Sequence, residues 1–360
     1  MIIMIGPLPP PVHGNSKNFE IAVNDVSRVA DVVVVSTSPG ILKKGIKYHA
    51  RKFFMVLFGI LIIVKTIIKN KVYSVYMPPD GGIGLIYTII FSLIIRMTDA
   101  KIYFHHRSFA YIDKKSFIMV AIKKIVGKNA EHIFLCDCMR DRYENKYGND
   151  LISSIVSNSQ YVSIDDDMVG RKIISDKKIR IGFLSNISEE KGIVSAVESL
   201  RTLLEDGIDV ELIVGGAPEN SWAENYISDC ASVYGDSFNY IGYVDKSKKT
   251  EFYKSIDVLV FPSKYKNEAQ PNVVFEALSF GVPVISTDRG CVPSDLICGG
   301  VVVPESEDFS KEVLCFVRRS INENKFYENF SSEGVKNLRL EIKKAKKQYS
   351  DLINKIVAGQ

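Results

Sequence analysis

The chain has 360 residues, of which 46% are apolar and 24% charged, and a net charge of +4. That length and apolar content fit two ordinary globular domains with full cores. Residues 1–150 hold 21 Lys and Arg against 11 Asp and Glu, while the other 210 hold 25 against 31; this basic first half fits an anionic membrane surface or substrate, and without a recognition helix or an aromatic-basic strand pattern it excludes nucleic acid.

Residues 1–5 read as a buried strand that runs into a proline-stiffened loop, Gly6 to Ser16. The start has no basic segment, long apolar run or cleavage site, which argues against secretion. A helix is expected over 16–29. A loop between strand and helix lies at the carboxyl edge of an open sheet, where ligands bind, and Gly14 there allows close backbone approach. A strand at 31–36, a helix over 43–71, a strand at 72–77 and a helix over 81–97 follow. The apolar stretches in these helices run for about 12 and about 17 residues, short of the roughly 20 that a membrane span needs. They read as core helices, with a basic helix lying on a membrane surface as the alternative. The next strand, from 101, ends in His105, His106 and Arg107. These are polar groups at a strand's carboxyl end, of which one imidazole is expected to touch substrate and the other to cap the loop. A helix at 116–127, a strand at 130–137 and a helix at 139–147 lead to a polar linker near 158–178 that contains Asp165, Asp166 and Asp167.

The pattern then restarts. Strands are expected at 179–184, 210–214, 238–241, 256–261, 282–287 and 301–303, with helices from 193, 248, 271, 309 and 335. Each half therefore reads as an α/β unit with an open parallel sheet. Neither carries the Gly-x-Gly-x-x-Gly fingerprint nor a phosphate-binding P-loop, which argues against a dehydrogenase or an ATPase.

The densest chemistry lies between 267 and 285. Glu268 and Glu276 stand eight positions apart, with Pro271 opening a helix between them. Proline at a helix start loses no needed hydrogen bond. The N–H groups of Asn272, Val273 and Val274 would point out of that start and favour a diphosphate. The carboxylates accept hydrogen bonds and suit hydroxyls, so the ligand implied is a nucleotide sugar.

Glu268 and Glu276, with Pro271, Gly281, Val282, Pro283 and Val284, resemble the E-x7-E signature of retaining glycosyltransferases of family four, of the bacterial surface-polysaccharide type. The resemblance takes in Gly14, the histidine strand, Glu190-Lys191-Gly192, Gly215-Gly216, Pro262-Ser263 and the last helix. It implies the GT-B fold: two Rossmann-like parallel-sheet domains facing each other across a cleft, an acceptor domain at 1–165, a donor domain at 177–335, and a C-terminal helix at 336–360 packing back toward the first domain. It further implies transfer of a sugar from a UDP- or GDP-sugar, with retention, to a glycan or polyprenyl-diphosphate-linked acceptor in O-antigen, capsule or lipopolysaccharide synthesis. Glu268, His105 and Lys191 are the implied catalytic group, with Lys191 on the donor diphosphate. Gly14, Asn186, Tyr243, Ala269, Gln270, Pro271, Asn272, Val273, Val274 and Glu276 would bind the donor, Glu276 through the ribose hydroxyls and Tyr243 beside the base. His106 and Arg107 would lie on the acceptor side. Two positions depart from the family pattern: Asn186 stands where an arginine is usual, and Ala269 where a glycine is. No metal and no cofactor are expected, and the expected location is cytoplasmic, with peripheral contact with anionic lipid at the inner face of the cell membrane. An epimerase of the same fold and a non-catalytic nucleotide-sugar-binding protein are the alternatives.

Overall fold

A computed structural model of the chain describes residues 1–12, 14–40, 45–165, 178–323 and 325–359. His13 of the first loop, residues 43 and 44 of the expected basic helix, and residues 166–177 of the expected linker, with Asp166 and Asp167, lie outside them. The chain divides into two units, Met1–Ser157 with Ala345–Gln360, and Asn158–Lys344.

The first unit alternates strand and helix: β1 (Ile2–Gly6), α1 (Gly14–Ser27), β2 (Val32–Ser36), α2 (Ile46–Lys69), β3 (Ser74–Met77), α3 (Leu85–Ile95), β4 (Lys101–His105), α4 (Ala110–Asp113), α5 (Phe117–Val126), β5 (Ala130–Phe134), α6 (Asp137–Tyr147) and β6 (Ile152–Ile155). The second runs β7 (Ile179–Leu184), α7 (Ile193–Glu205), β8 (Val210–Gly215), α8 (Ser221–Tyr234), β9 (Phe238–Gly242), α9 (Lys246–Ser255), β10 (Val258–Phe261), α10 (Asn272–Ser279), β11 (Val284–Thr287), α11 (Val292–Asp295), β12 (Gly300–Val303), α12 (Phe309–Asn322) and α13 (Phe326–Ala358), whose last residues belong to the first unit.

Among the described residues each unit has one six-stranded sheet, ordered β2-β1-β3-β4-β5-β6 and β12-β11-β10-β7-β8-β9, with parallel ladders throughout. Parallel strands need helical crossovers, which cover both faces, so strands such as β1 and β10 are buried at every position and apolar without alternation. In the second sheet the chain starts in the middle at β7, runs out to β9 and returns on the other side of β7 at β10. The loops leaving β7 and β10 therefore diverge at the carboxyl edge, at the switch point where open α/β sheets take ligands.

One core of the first unit joins Ile2, Met4, Tyr76, Tyr103 and Ile133 of the sheet to Phe19, Val23 and Val26 of α1. The same core takes Leu352 and Ile356 from the end of α13. Lys355 closes it by pairing with the buried Glu131 at 2.8 Å, while the Tyr103 hydroxyl donates to the Lys355 carbonyl. The earlier part of α13 packs Leu338 and Ile342 into the core under β10 and β11.

Several elements depart from the sequence reading, among them the short α4 and α11, which it lacks. β6 is absent from it because Ser153 and Ser154 interrupt the apolar run; an edge strand, half exposed, tolerates them. α8 is masked by its serines and asparagines, yet Asn220 caps it by accepting from the Ala223 N–H, and Ala223, Ile227 and Cys230 are buried at helical spacing. α2 is no core helix: only a narrow side, Val56, Gly59, Ile63 and Thr66, is buried, and a Cβ on Gly59 would lie 2.7 Å from the Val35 side chain.

The β7 and β8 loops interlock through Gly216, which has φ +139° and would place a Cβ 1.7 Å from the Ser185 carbonyl oxygen. Gly216→Ala is expected to cost at least about 2 kcal/mol through strain and displaced backbone. Chemical denaturation of the variant measures this; an unchanged midpoint would show that the contact relaxes freely.

Candidate active site

The switch-point loops of the second unit are clamped together. Gly192, at the start of α7, has φ +89°, and a Cβ there would sit 2.1 Å from the Pro262 carbonyl oxygen. The Lys264 N–H donates to the Glu190 carbonyl at 2.8 Å. This approach carries Lys191 onto Glu268, with Nζ 2.7 Å from Oε2. The Ser263 hydroxyl donates to the same oxygen at 3.2 Å, and Lys191 Nζ lies 4.3 Å from the centre of the Tyr265 ring. The pair is 18% and 12% exposed, so each charge is largely desolvated and held by its partner. Lys191 and Glu268, 77 positions apart in sequence, thus form one charged centre, with Ser263 and Tyr265 as neighbours.

Glu276, in the second turn of α10, is the centre of a second cluster. Lys249 Nζ lies 2.6 Å from both of its oxygens, and the Tyr253 hydroxyl donates to Oε2 at 2.8 Å. Burial, and secondly the Glu276 charge, push the Tyr253 hydroxyl well up, so it stays a donor. Lys249 and Tyr253 escape the sequence reading; their only signal is the i, i+4 spacing that places both on one face of α9.

Between the carboxylates, the loop is built for shape. No described non-glycine residue has a positive φ, so Ala269 sits without strain where the family pattern has glycine. Its carbonyl accepts the Cys291 N–H at 2.7 Å. Gln270 is buried and consumed: Oε1 accepts the Asn158 N–H at 2.7 Å, Nε2 donates to Asp295 at 2.8 Å, and its carbonyl accepts from the Asn158 amide. Burial raises the Asp295 carboxyl well above its ordinary range, against the Gln270 hydrogen bond that lowers it. Pro271 caps α10 from one residue outside, and the Val274 N–H turns back to its carbonyl at 3.2 Å. Of the three N–H groups expected to face a ligand, that of Val274 is therefore engaged, and its side chain is core; Asn272 and Val273 stand half-buried in the first turn. Asn186 is half-buried in the loop after β7, and Tyr243 is exposed beyond β9.

In the first unit, Gly14 opens α1, and a Cβ there would meet nothing within 4 Å. His105 ends β4 fully buried. Its Nδ1 is 2.7 Å from the Tyr76 hydroxyl and 3.3 Å from the Arg107 guanidinium, and the ring also meets the Val156 backbone. His106 has a different setting: Nδ1 meets the Tyr111 hydroxyl and Nε2 meets His132 Nδ1, both at 2.9 Å, and the ring stacks 4.7 Å from Phe134. Both nitrogens of His106 are engaged inside the unit. Burial lowers all three imidazoles, aided at His105 by Arg107 and at His106 by His132; His132 falls to about 4.

Residues 166–335 match the family model of glycosyl transferases group 1. A capsular polysaccharide biosynthesis glycosyltransferase, CapM of Staphylococcus aureus, is 29% identical over 168 residues, which cover 46% of this chain and 42% of that protein. The chain thus spans under half the length of that relative. Among solved structures, sucrose-phosphate synthase from Thermosynechococcus elongatus superposes with a TM-score of 0.76 at 13% identity over 100% of both chains. HepE from Anabaena, in complex with UDP, gives 0.70 at 12% identity over 98% of this chain and 99% of that one. The fold is the GT-B pair of α/β units.

Neutral, buried histidines have a measurable signature. Each keeps its proton count when folded, whereas the unfolded chain gains a proton below about pH 6.5, so each removes about 1.4 kcal/mol of stability per pH unit as pH falls through that window. For His132 the loss ends near its folded value of about 4. Ring-nitrogen NMR shifts of His105, His106 and His132 at pH 6 are expected to be those of neutral imidazole; protonated rings would overturn this electrostatic picture.

Proposed function

We propose that this chain is a retaining glycosyltransferase that moves a sugar from a UDP- or GDP-sugar to a glycan or lipid-linked acceptor in surface-polysaccharide synthesis. The observation that carries the reading is the Lys191–Glu268 pair at the switch point, with Glu276 held nearby in sequence by Lys249 and Tyr253. A cation at a loop over a parallel sheet's carboxyl edge suits a diphosphate, and acceptor-only carboxylates suit sugar and ribose hydroxyls. CapM's name places that relative in capsular polysaccharide biosynthesis, which supports the polysaccharide pathway, and HepE was solved with UDP, which supports a nucleotide-sugar donor.

In the proposed reaction, the acceptor oxygen forms its bond to the anomeric carbon on the face from which the diphosphate leaves. The bond from that carbon to the diphosphate oxygen breaks, and the departing phosphate oxygen takes the acceptor's proton. Lys191 offsets the charge that develops on the leaving group, and Glu268 stabilises the positive sugar. His105, neutral at the carboxyl end of β4, is assigned to the transferred sugar. Catalysis then rests on positioning and electrostatics, with no nucleophile. With Lys191 at the diphosphate, the reading assigns no role to a metal or cofactor.

Slow release of UDP or GDP from one nucleotide sugar, stimulated by acceptor, is the expected outcome of a donor screen. Release without any acceptor stimulation would favour an epimerase; binding without release would mark a non-catalytic protein. Glu268→Ala is expected to lower turnover by about 10²–10³-fold with little change in donor affinity. Glu276→Ala is expected to weaken nucleotide binding by about 10- to 100-fold, the loss of hydrogen bonds to a charged group. Equal effects on affinity with turnover untouched would undo the assignment. Turnover is expected to survive exhaustive chelation; abolition rescued by a divalent ion would refute metal independence.

A further inference from the structure

The outward face of α2 is apolar where a solvated helix would be polar. At 100° per residue, Phe53, Phe54, Leu57, Phe58, Leu61 and Ile68 fall within an arc of about 140°. That arc lies opposite the buried side formed by Val56, Gly59, Ile63 and Thr66. The exposed residues are not marginal: Phe54 is 68% exposed, Phe58 65%, Leu61 65% and Ile68 78%. Three aromatic rings on one helix face form a patch of a kind that soluble monomers rarely leave uncovered.

The charges beside this arc point to its occupant. The helix sequence contains no Asp or Glu, while Arg51 and Lys69 are exposed at the edge of the apolar arc and Lys65 is exposed just inside that same edge. Lys52 alone among these described cations turns inward, to Asp80 at 2.8 Å. A second copy docking face to face would set cations against cations, which opposes self-association. A surface with an apolar interior and an anionic skin matches both parts of the pattern. The helix spans about 36 Å of length at 1.5 Å per residue, enough to lie along a bilayer with its rings below the headgroups. Among the described residues no helix is long and apolar enough to cross a membrane.

We infer that α2 lies in the interface of an anionic lipid bilayer, with Phe53, Phe54, Phe58 and Leu61 inserted among acyl chains and Arg51, Lys65 and Lys69 at the headgroups. This deepens the proposed transfer by seating its acceptor in the same bilayer, but lipid binding is read without any transfer assay. Nucleotide-sugar turnover and vesicle binding therefore fail separately.

The experiment is flotation of the full chain with phosphatidylcholine vesicles, with and without phosphatidylglycerol, at low and high salt. Co-flotation with the anionic vesicles is expected, weakened at least about tenfold with neutral ones and reduced by salt. The double variant Phe54→Ser with Phe58→Ser is expected to lose flotation by about tenfold or more while keeping its thermal midpoint, because these side chains touch solvent rather than core. Lys65→Glu with Lys69→Glu is expected to remove the preference for anionic lipid. Absence of flotation, or flotation unchanged in the double serine variant, overturns the inference. A dimer that the serine variant dissociates, with no lipid binding, would assign the face to a second copy and overturn it equally.

Discussion

The close approach of the loops that leave β7 and β10 is the constraint on which the second unit's chemistry depends. The Pro262 carbonyl occupies the space that a side chain at position 192 would need. Lys191 is adjacent, so its position follows from that backbone contact rather than from its own long and flexible stem. The charged centre is consequently preorganised: its geometry is fixed by glycine and carbonyl, and its two members sit on loops whose strands are neighbours in the sheet. A site assembled this way loses little side-chain entropy on binding a ligand.

Both carboxylates in the unit are already paired with a lysine. Glu268 and Glu276 therefore present themselves to a ligand as neutralised groups with spare lone pairs, not as bare anions. In the proposed reaction an incoming diphosphate would meet less repulsion than two unpaired carboxylates would give, and it would compete with Glu268 for the Lys191 ammonium. Tyr253 adds a buried donor to one side of Glu276, which leaves the orientation of that carboxylate set before any hydroxyl arrives.

The sheets are legible in the sequence because both faces of a parallel strand are covered, so burial writes itself as unbroken apolar runs. β6 is illegible for the complementary reason, since an edge strand need not be apolar. Glu268 and Glu276 stand out through residue type and spacing around a turn, and Lys191 through the family resemblance alone. Lys249 and Tyr253 do not, since nothing local marks a polar residue as partner to a carboxylate on another element. Gln270 and His106 both lie in suggestive stretches, and the fold adds what the sequence does not show: Gln270 bonds Asn158 and Asp295, and His106 bonds Tyr111 and His132. A sequence shows that a group can donate or accept; only the fold shows whether its capacity is already spent. α2 misleads by composition, because an apolar run reads as interior whether its outer face meets protein or not.

The last turns of α13 supply Leu352, Ile356 and Lys355 to a core whose other members lie within the first 157 residues. On the ribosome, the first sheet emerges long before its final wall exists. Glu131 waits for Lys355, 224 residues further on, with a carboxylate destined for burial and no cation to meet it. The first unit thus completes its core only after residues 345–359 have been made, and a truncation that removes them strikes the domain made first.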